Sequence, residues 1–287
     1  MKSPLPRIAA IHDLSGVGRC SLSVILPVIS AMRVQVCAVP TAVLSTHTGG
    51  WGEVALRDLT EYISGALAHY KQLEIPFNCI YSGFLSSEEQ FDLCAAFFAE
   101  YPNALIVVDP VMGDHGKPYR TYTKPMQKRM ADLVAHADII TPNLTEACIL
   151  LGIDYPHEPL TLSQAKSMLV RLGSLGPEKV IITGAILANG EMANLGYEKT
   201  SSTFWQITCD YVPASYPGTG DIFASVLTGS ILTGDSLPIA MDRATQFLQL
   251  IIKTTYSYGT DPRHGVMFEK SLRWLTEDHL LMGYHPF

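Results

Sequence analysis

The chain has 287 residues, of which 47% are hydrophobic and 16% are charged, and its net charge at pH 7 is −7. This length accommodates one large α/β domain or two small ones, and the composition indicates a well-filled core. The negative charge argues against a nucleic-acid-binding protein, because no excess of basic residues offsets the phosphate backbone. An acidic protein that binds a phosphate ligand must use backbone amides, a metal ion and a few local cations.

Cysteine usage and the lack of long apolar runs predict a cytoplasmic protein without a membrane partner. The cysteines are scattered and form no C-x-x-C pair, so we expect reduced thiols rather than disulfides or a zinc site. They are Cys20, Cys37, Cys79, Cys94, Cys148 and Cys209. Pro4, Pro6 and Arg7 interrupt any signal-peptide core, and no apolar run is long enough to span a bilayer.

Strand-like and helix-like segments alternate along the chain. In chain order we predict a strand at 7–12, a helix at 21–32, a strand at 34–42, a helix at 61–73, a strand at 79–83, a helix at 88–100, a strand at 105–108, a helix at 124–135, a strand at 138–141, helices at 145–151 and 162–172, a strand at 179–183, an edge hairpin of 191–197 with 203–212, and helices from 220 through 257. This alternation predicts an α/β fold with helices on both faces of a mainly parallel sheet. No repeat or linker divides the sequence, so residues 1–287 are expected to form a single domain.

Polar residues and glycines follow five predicted strands at their carboxyl ends, where ligands bind in open α/β sheets. They are His12 with Asp13, Gly83, Asp109, 141–143, and Thr183 with Gly184. Asp109, Asn143 and Glu146 are the residue types that a magnesium–phosphate site needs, directly or through water. The alternative for Asn143 and Glu146 is a capping pair at a helix start, and for Thr183 and Gly184 a strand-end turn.

The motif Pro217-Gly218-Thr219-Gly220-Asp221 is the most informative segment, because a helical pattern of small and apolar residues follows it directly. Such a turn places free backbone N–H groups at a helix N-terminus, where the helix dipole favours an anion. The carboxyl group of Asp221 can face the same anion, as suits a base beside a phosphate. The alternative is an N-capped helix after a glycine-rich turn.

Three ordered motifs resemble those of the ribokinase-like small-molecule kinases, and the resemblance covers nearly the whole chain. They are the segments 109–114 (DPVMGD), 137–146 (ADIITPNLTE) and 218–221 (GTGD). Within this superfamily the chain resembles the vitamin B6 branch, the pyridoxal/pyridoxamine kinases. The segments 44–49 (LSTHTG) and 81–84 (YSGF) are similar to those that line the pyridoxal pocket, although Asp13 and Phe84 stand where members of that branch have Ser and Tyr.

The resemblance implies a three-layer α/β/α sandwich and ATP-dependent phosphorylation of the hydroxymethyl group of pyridoxal, pyridoxamine or pyridoxine. Asp221 would be the general base, and with an ordinary pKa it would mainly orient the hydroxyl group. The backbone amides of Gly218, Thr219 and Gly220 would form an anion hole for the transferred phosphoryl group.

Cofactor contacts also follow from the resemblance. The expected ATP-binding residues are Asn143, Glu146, Thr183, Gly184 and Val212, the last within a candidate lid at 211–217. Asp109 and Glu146 would hold Mg²⁺, with several water molecules retained by the metal. A monovalent cation such as K⁺ and a homodimer are further expectations from the family.

On the acceptor side, Asp13 would pair with the pyridine nitrogen or the ring hydroxyl, and Thr48 with the other polar edge of the ring. Phe84 would offer an apolar face for stacking, although a core position is the commoner place for such an aromatic residue. His47 is expected to be a contact residue at most.

Several other functions compete with B6 phosphorylation. Hydroxymethylpyrimidine kinases of thiamine synthesis share the three motifs, and the segment 13–16 partly resembles their pattern. A non-catalytic ligand-binding relative is a second alternative. A dinucleotide-binding oxidoreductase is disfavoured, because the segment 16–21 (GVGRCS) lacks the third glycine of G-x-G-x-x-G. The chain has no Walker A sequence, which excludes P-loop kinases, and no β-rich insertion after the first strands like that of sugar kinases.

Overall fold

The structure, a computed structural model, describes residues 5–287. Its strands are β1 (Arg7–Val17), β2 (Gln35–Thr46), β3 (Leu56–Asp58), β4 (Cys79–Ser82), β5 (Leu105–Val108), β6 (Gly113–Asp114), β7 (Lys117–Pro118), β8 (Ile139–Ile140), β9 (Lys179–Ile186), β10 (Met192–Glu198), β11 (Thr203–Cys209) and β12 (Tyr284–Pro286). Its helices are α1 (Leu22–Ala31), α2 (Thr60–Gln72), α3 (Glu88–Glu100), α4 (Lys124–Val134), α5 (Leu144–Leu151), α6 (Leu162–Gly173), α7 (Thr219–Thr233) and α8 (Leu237–Tyr258). Short 3₁₀ turns follow at Pro262–His264, Phe268–Lys270 and Leu272–Thr276.

Ten strands form one mixed sheet in the order β12-β11-β10-β9-β8-β5-β4-β1-β2-β3. The strand pairs from β2 through β9 are parallel, and the pairs at both edges are antiparallel. The predicted mainly parallel sheet is therefore confirmed. The predicted hairpin exists as β10 and β11, but its edge position is wrong, because β12 pairs with β11 and forms the edge instead.

Helices cover both faces of the sheet and bury a separate apolar cluster on each side. One cluster lies under α2 to α6 and includes Ile63 and Leu169; the other lies under α1, α7 and α8 and includes Ile25 and Phe223. The residues 8–11 of β1 alternate between the two clusters, which explains why central strands are apolar without interruption. This is the three-layer α/β/α sandwich. Among the described residues, no helix has the length and apolar character to cross a membrane.

Observed helix bounds agree with the predicted ones to within one residue, because local signals set them. Helix α5, for example, starts at a capping box in which the side chains of Asn143 and Glu146 each bind the other's backbone N–H group, and ends at Gly152 with φ of +63°.

The first strands differ from the prediction. β1 continues to Val17, where we predicted a glycine-rich turn, and it pairs with β2 as far as Thr46 after a register shift between His12 and Leu14. β3 then adds an antiparallel strand where none was predicted. The carboxyl end of β1 is thus extended by pairing across the sheet, and Asp13 lies inside the strand at the register shift rather than in a following turn.

Candidate active site

The turn 217–219 packs against the turn 18–21, so that the N-termini of α7 and α1 lie together. Gly218 has φ of +79°, and a Cβ atom there would lie 1.9 Å from the carbonyl oxygen of Arg19. Both the conformation and the contact therefore require glycine at this position. Gly220 is exposed, and a Cβ atom there would meet nothing within 4 Å. Open space thus adjoins the start of α7, where helix N–H groups lack intrahelical partners.

Asp221 lies in the first turn of α7, and its Oδ2 accepts a hydrogen bond from the backbone N–H of Ser21 at 2.8 Å. Ser21 has φ of +50°, an uncommon value for a residue other than glycine. Burial raises the pKa of Asp221 to about 8, and the negative charges of Asp109 and, less strongly, Asp13 contribute. The expectation of an ordinary pKa for Asp221 is therefore wrong, because it did not include the surrounding carboxylates.

Two further carboxyl groups are buried near Asp221. Asp109 follows β5 and accepts a hydrogen bond from Thr141 Oγ1 at 3.2 Å, and burial raises its pKa to about 7. Asp13 accepts a hydrogen bond from Ser15 Oγ at 3.1 Å, and burial raises its pKa as well. Parallel strands thus bring together acidic residues that are far apart in the sequence.

Glu146 is held by backbone donors from two sides. Its Oε2 accepts the N–H of Asn143 at 2.9 Å, and its Oε1 accepts the N–H of Met112 at 3.0 Å. Asn143 Oδ1 accepts the N–H of Glu146 at 3.0 Å, and its Nδ2 donates to the carbonyl of Gly113 at 2.9 Å. Burial, followed by the charge of Asp109, raises the pKa of Glu146 well above its usual value. The capping interpretation is confirmed, and the second lone pairs of the carboxylate oxygens leave a metal or water contact open.

No Lys or Arg side chain that the structure describes pairs with these four carboxyl groups, and only Asp13 has a histidine, His47, near enough to affect its charge. None of the ion pairs among residues 5–287 includes Asp13, Asp109, Glu146 or Asp221. Buried carboxylates without a counter-charge are costly, so a divalent cation fits this region electrostatically. Within the described chain, no three His, Cys, Asp or Glu side chains cluster as a metal site. A magnesium ion there would take most of its oxygens from water and phosphates, which is its usual preference.

The predicted nucleotide residues lie partly beside this cluster. Thr183 forms a parallel bridge with Asn143, and its N–H donates to the carbonyl of Pro142 at 3.0 Å. β9 continues past Thr183 and Gly184 to Ile186, so the strand end predicted at this point is wrong. Val212 is half-buried in the irregular segment before α7, and no hydrogen bond of residues 5–287 joins it to the other candidate residues.

The predicted acceptor residues are less tightly assembled. Thr48 is exposed in the loop after β2. Phe84 is half-buried and packs edge-on against Tyr122, with ring centroids 6.2 Å apart, at the border of the larger apolar cluster. His47 lies near enough to Asp13 to lower the pKa of that carboxyl. Asp13 and His47 are therefore neighbours, whereas Phe84 serves partly as a core residue.

Sequence reasoning missed two segments that support the site. The turn 18–21, which we considered as a dinucleotide motif, instead holds Asp221, and Arg19 within it pairs with Glu269 at 2.6 Å. The guanidinium group of Arg263 lies 4.8 Å from the ring centroid of Trp51, which joins the C-terminal part of the chain to the loop after β2. The run 261–265 (DPRHG) was a usable signal, because it combines turn-forming and cationic residues.

Comparison with known proteins gives consistent matches over most of the chain. The sequence profile of the phosphomethylpyrimidine kinase family matches residues 26–267. A Bacteroides thetaiotaomicron protein assigned as a phosphomethylpyrimidine kinase is 42% identical, and in its rhombohedral form it superposes with a TM-score of 0.96 over 100% of this chain and 99% of that chain. An orthorhombic form of that protein, with pyridoxal, gives a TM-score of 0.94 over 99% of this chain and 100% of that chain.

Two pyridoxal kinases are also similar to this chain. The pyridoxal kinase from Lactobacillus plantarum is 30% identical, with a TM-score of 0.87 over 94% of this chain and 96% of that chain. The pyridoxine/pyridoxal/pyridoxamine kinase of Bordetella pertussis is 28% identical over 266 residues, which cover 87% of this chain and 89% of that protein.

Proposed function

Because this chain belongs to the phosphomethylpyrimidine kinase family, we propose that it transfers the γ-phosphoryl group of ATP to the hydroxymethyl group of pyridoxal, pyridoxamine or pyridoxine. As a member of that family it is a small-molecule kinase. Two relatives support a B6 vitamer as the acceptor: the Bacteroides protein has a crystal form with pyridoxal, and the Lactobacillus protein is a pyridoxal kinase.

The observation that carries the proposal is the position of Asp221 beside the open N-terminus of α7, fixed by the Ser21 N–H at 2.8 Å. In the reaction, the hydroxymethyl oxygen forms a bond to the γ-phosphorus while the bond to the β–γ bridging oxygen breaks. The hydroxyl proton passes to the Asp221 carboxylate, and ADP leaves with the displaced electron pair. A pKa of about 8 makes the deprotonated carboxylate a stronger base than that of an ordinary aspartate.

The anion hole would consist of the backbone N–H groups of Gly218, Thr219 and Gly220. The Thr219 hydroxyl already donates to the carbonyl of Tyr216 at 3.1 Å, which favours a role for its amide rather than its side chain. Gly218 packs tightly against the backbone of Arg19, which holds the turn in one conformation. The N–H donors of the turn therefore need little reorganisation when charge develops on the phosphoryl oxygens.

Nucleotide and metal contacts complete the proposal. Asp109 and Glu146 would hold Mg²⁺, which would neutralise charge on the phosphates during transfer. The ATP-binding residues would be Asn143, Glu146, Thr183, Gly184 and Val212. A requirement for K⁺, a homodimeric assembly and a cytoplasmic location stay predictions.

The acceptor ring would lie near Asp13, Thr48 and Phe84. Burial raises the pKa of Asp13, so that its carboxyl group can share a proton with a pyridine nitrogen or a ring hydroxyl. The half-exposed ring of Phe84 offers an apolar surface for stacking.

Hydroxymethylpyrimidine is the second candidate acceptor, because the matching family profile is that of phosphomethylpyrimidine kinases. A coupled ADP-release assay with ATP and Mg²⁺ tests both candidates by offering pyridoxal, pyridoxamine, pyridoxine and hydroxymethylpyrimidine side by side. Asp221→Asn should strongly reduce turnover, whereas Asp235→Asn, near the other end of α7, should not. Preferred turnover of the pyrimidine would replace the proposed acceptor, and unchanged turnover in Asp221→Asn would overturn the assignment of the base.

A further inference from the structure

Asn194 occupies an irregularity in the pairing of β9 with β10. Ala193 pairs with Ala185 and Leu195 pairs with Ile182, so Asn194 stands opposite both Thr183 and Gly184. Two residues of β9 thus oppose one residue of β10, which defines a bulge in β9. Gly184 has φ of +62°, the left-handed conformation that glycine accepts readily at such positions.

The side chain of Asn194 takes over the hydrogen bonding that the bulge interrupts. Its Oδ1 accepts the N–H of Gly184 at 2.9 Å, and its Nδ2 donates to Thr245 Oγ1 at 2.9 Å. The Thr245 hydroxyl donates in turn to the carbonyl of Met241 at 2.8 Å, within α8. Asn194 is 5% exposed and Thr245 is 2% exposed, so this polar pair is buried inside an apolar layer. Burying an amide there is tolerated because its hydrogen bonds are made.

The bulge is connected to Asn143, one of the proposed ATP-binding residues. Thr183 precedes Gly184 and is bridged to Asn143, whose side chain caps α5 together with Glu146. No hydrogen bond among the described residues uses the Thr183 hydroxyl, which is half-buried. Hydrogen bonds thus connect Thr245 through Asn194 to the Gly184 amide. The residue before Gly184 is Thr183, whose hydroxyl is free to donate a hydrogen bond.

We propose that Asn194 is a positioning residue for the nucleotide: by holding the Gly184 amide, it fixes the backbone that presents Thr183 to the phosphates of ATP or ADP. This inference rests on the proposed kinase function. Bulges next to active sites commonly re-aim a side chain, and Asn194 supplies the bond that keeps this one in place. Asn194 itself would touch no substrate, because it is buried between β10 and α8.

The test measures the Kd of Mg²⁺–ADP by calorimetry, the KM values of ATP and pyridoxal, and hydrogen exchange of the Gly184 amide. Asn194→Ala should weaken ADP binding and raise the KM of ATP about tenfold, with the pyridoxal KM within about twofold, because a buried amide is left unpaired. The Gly184 amide should lose its protection. Asn194→Asp keeps an acceptor for that amide and should retain more ADP affinity than Asn194→Ala.

Thr245→Val provides a milder variant in case Asn194→Ala does not fold. Thr255→Val is its matched control, since Thr255 lies on the same helix, is fully buried, and also donates to the carbonyl four residues before it. Like Thr245, it accepts one further hydrogen bond, here from the N–H of Met267 at 2.8 Å. Thr245→Val should weaken ADP binding, and Thr255→Val should not. Wild-type ADP affinity in Asn194→Ala and Thr245→Val, with Gly184 exchange accelerated, would overturn the inference. Failure of the wild-type protein to bind ADP or turn over would instead overturn the proposed function.

Discussion

Asp221→Asn should make the protein more stable at neutral and alkaline pH while strongly reducing its activity. The carboxyl group of Asp221 has its pKa raised from 3.8 to about 8, by burial first and then by Asp109 and Asp13. An amide oxygen can still accept the Ser21 N–H, so the substitution removes the charge and keeps this bond. The base is lost, and turnover should fall by about 10²–10⁴.

The sign and size of the stability effect follow from proton linkage. The folded protein holds the proton on Asp221 more tightly than the unfolded chain does, so ionisation opposes folding as the pH rises from about 4 to about 8. Each pH unit in this window lowers the free energy of unfolding by at most about 1.4 kcal/mol. Between about pH 5 and pH 8 the wild-type protein should therefore lose up to about 4 kcal/mol through this group.

Urea unfolding followed by circular dichroism at four pH values between about 5 and 8 measures this effect. The midpoint of Asp221→Asn should fall less steeply with pH than that of the wild type. A residual slope should remain from Asp109, Glu146 and Asp13, whose pKa values burial also raises. Asp235→Asn is the control: Asp235 pairs with Arg243 at 3.1 Å near the far end of α7, and its removal should leave the slope unchanged. Equal slopes for Asp221→Asn and the wild type would refute the reasoning that Asp221 is a destabilising buried charge.

Three further predictions test the packing and the charges around the site. Gly218→Ala should lower the urea midpoint and reduce kcat about 10²–10³-fold, because its Cβ atom would lie 1.9 Å from the carbonyl oxygen of Arg19. Near-normal turnover of this variant would show that the turn can shift without loss of the anion hole. Glu146→Gln should raise the Mg²⁺ concentration for half-maximal activity about tenfold, and an unchanged requirement would remove Glu146 from the metal site. Tyr81→Phe should change Tm little, because the buried Tyr81 hydroxyl faces only the Ser225 hydroxyl and makes no hydrogen bond of good geometry in the described structure; a clear fall in Tm would show that the contact between Tyr81 and Ser225 is stabilising.

Local sequence signals predicted most elements of the fold because the chemistry that sets them is local. The capping pair Asn143 and Glu146 marks the start of α5 without reference to any other element. The short edge strands β3 and β12 were not predicted. Each has only three residues and forms a strand only by pairing with its neighbour, β2 or β11. The full lengths of β1 and β9 were missed for the same reason.

The sequence by itself determined the alternation of strands and helices, the identity of the candidate base and the glycines before it, since each of these depends on neighbouring residues. Tertiary structure decided the rest of the site. The hydrogen bond between Ser21 and Asp221 joins residues 200 positions apart, and the pKa of Asp221 depends on Asp109 and Asp13, which other strands bring near it. Electrostatic interactions and desolvation act through space, so the protonation of this carboxyl group follows from the folded arrangement and not from the motif that contains it.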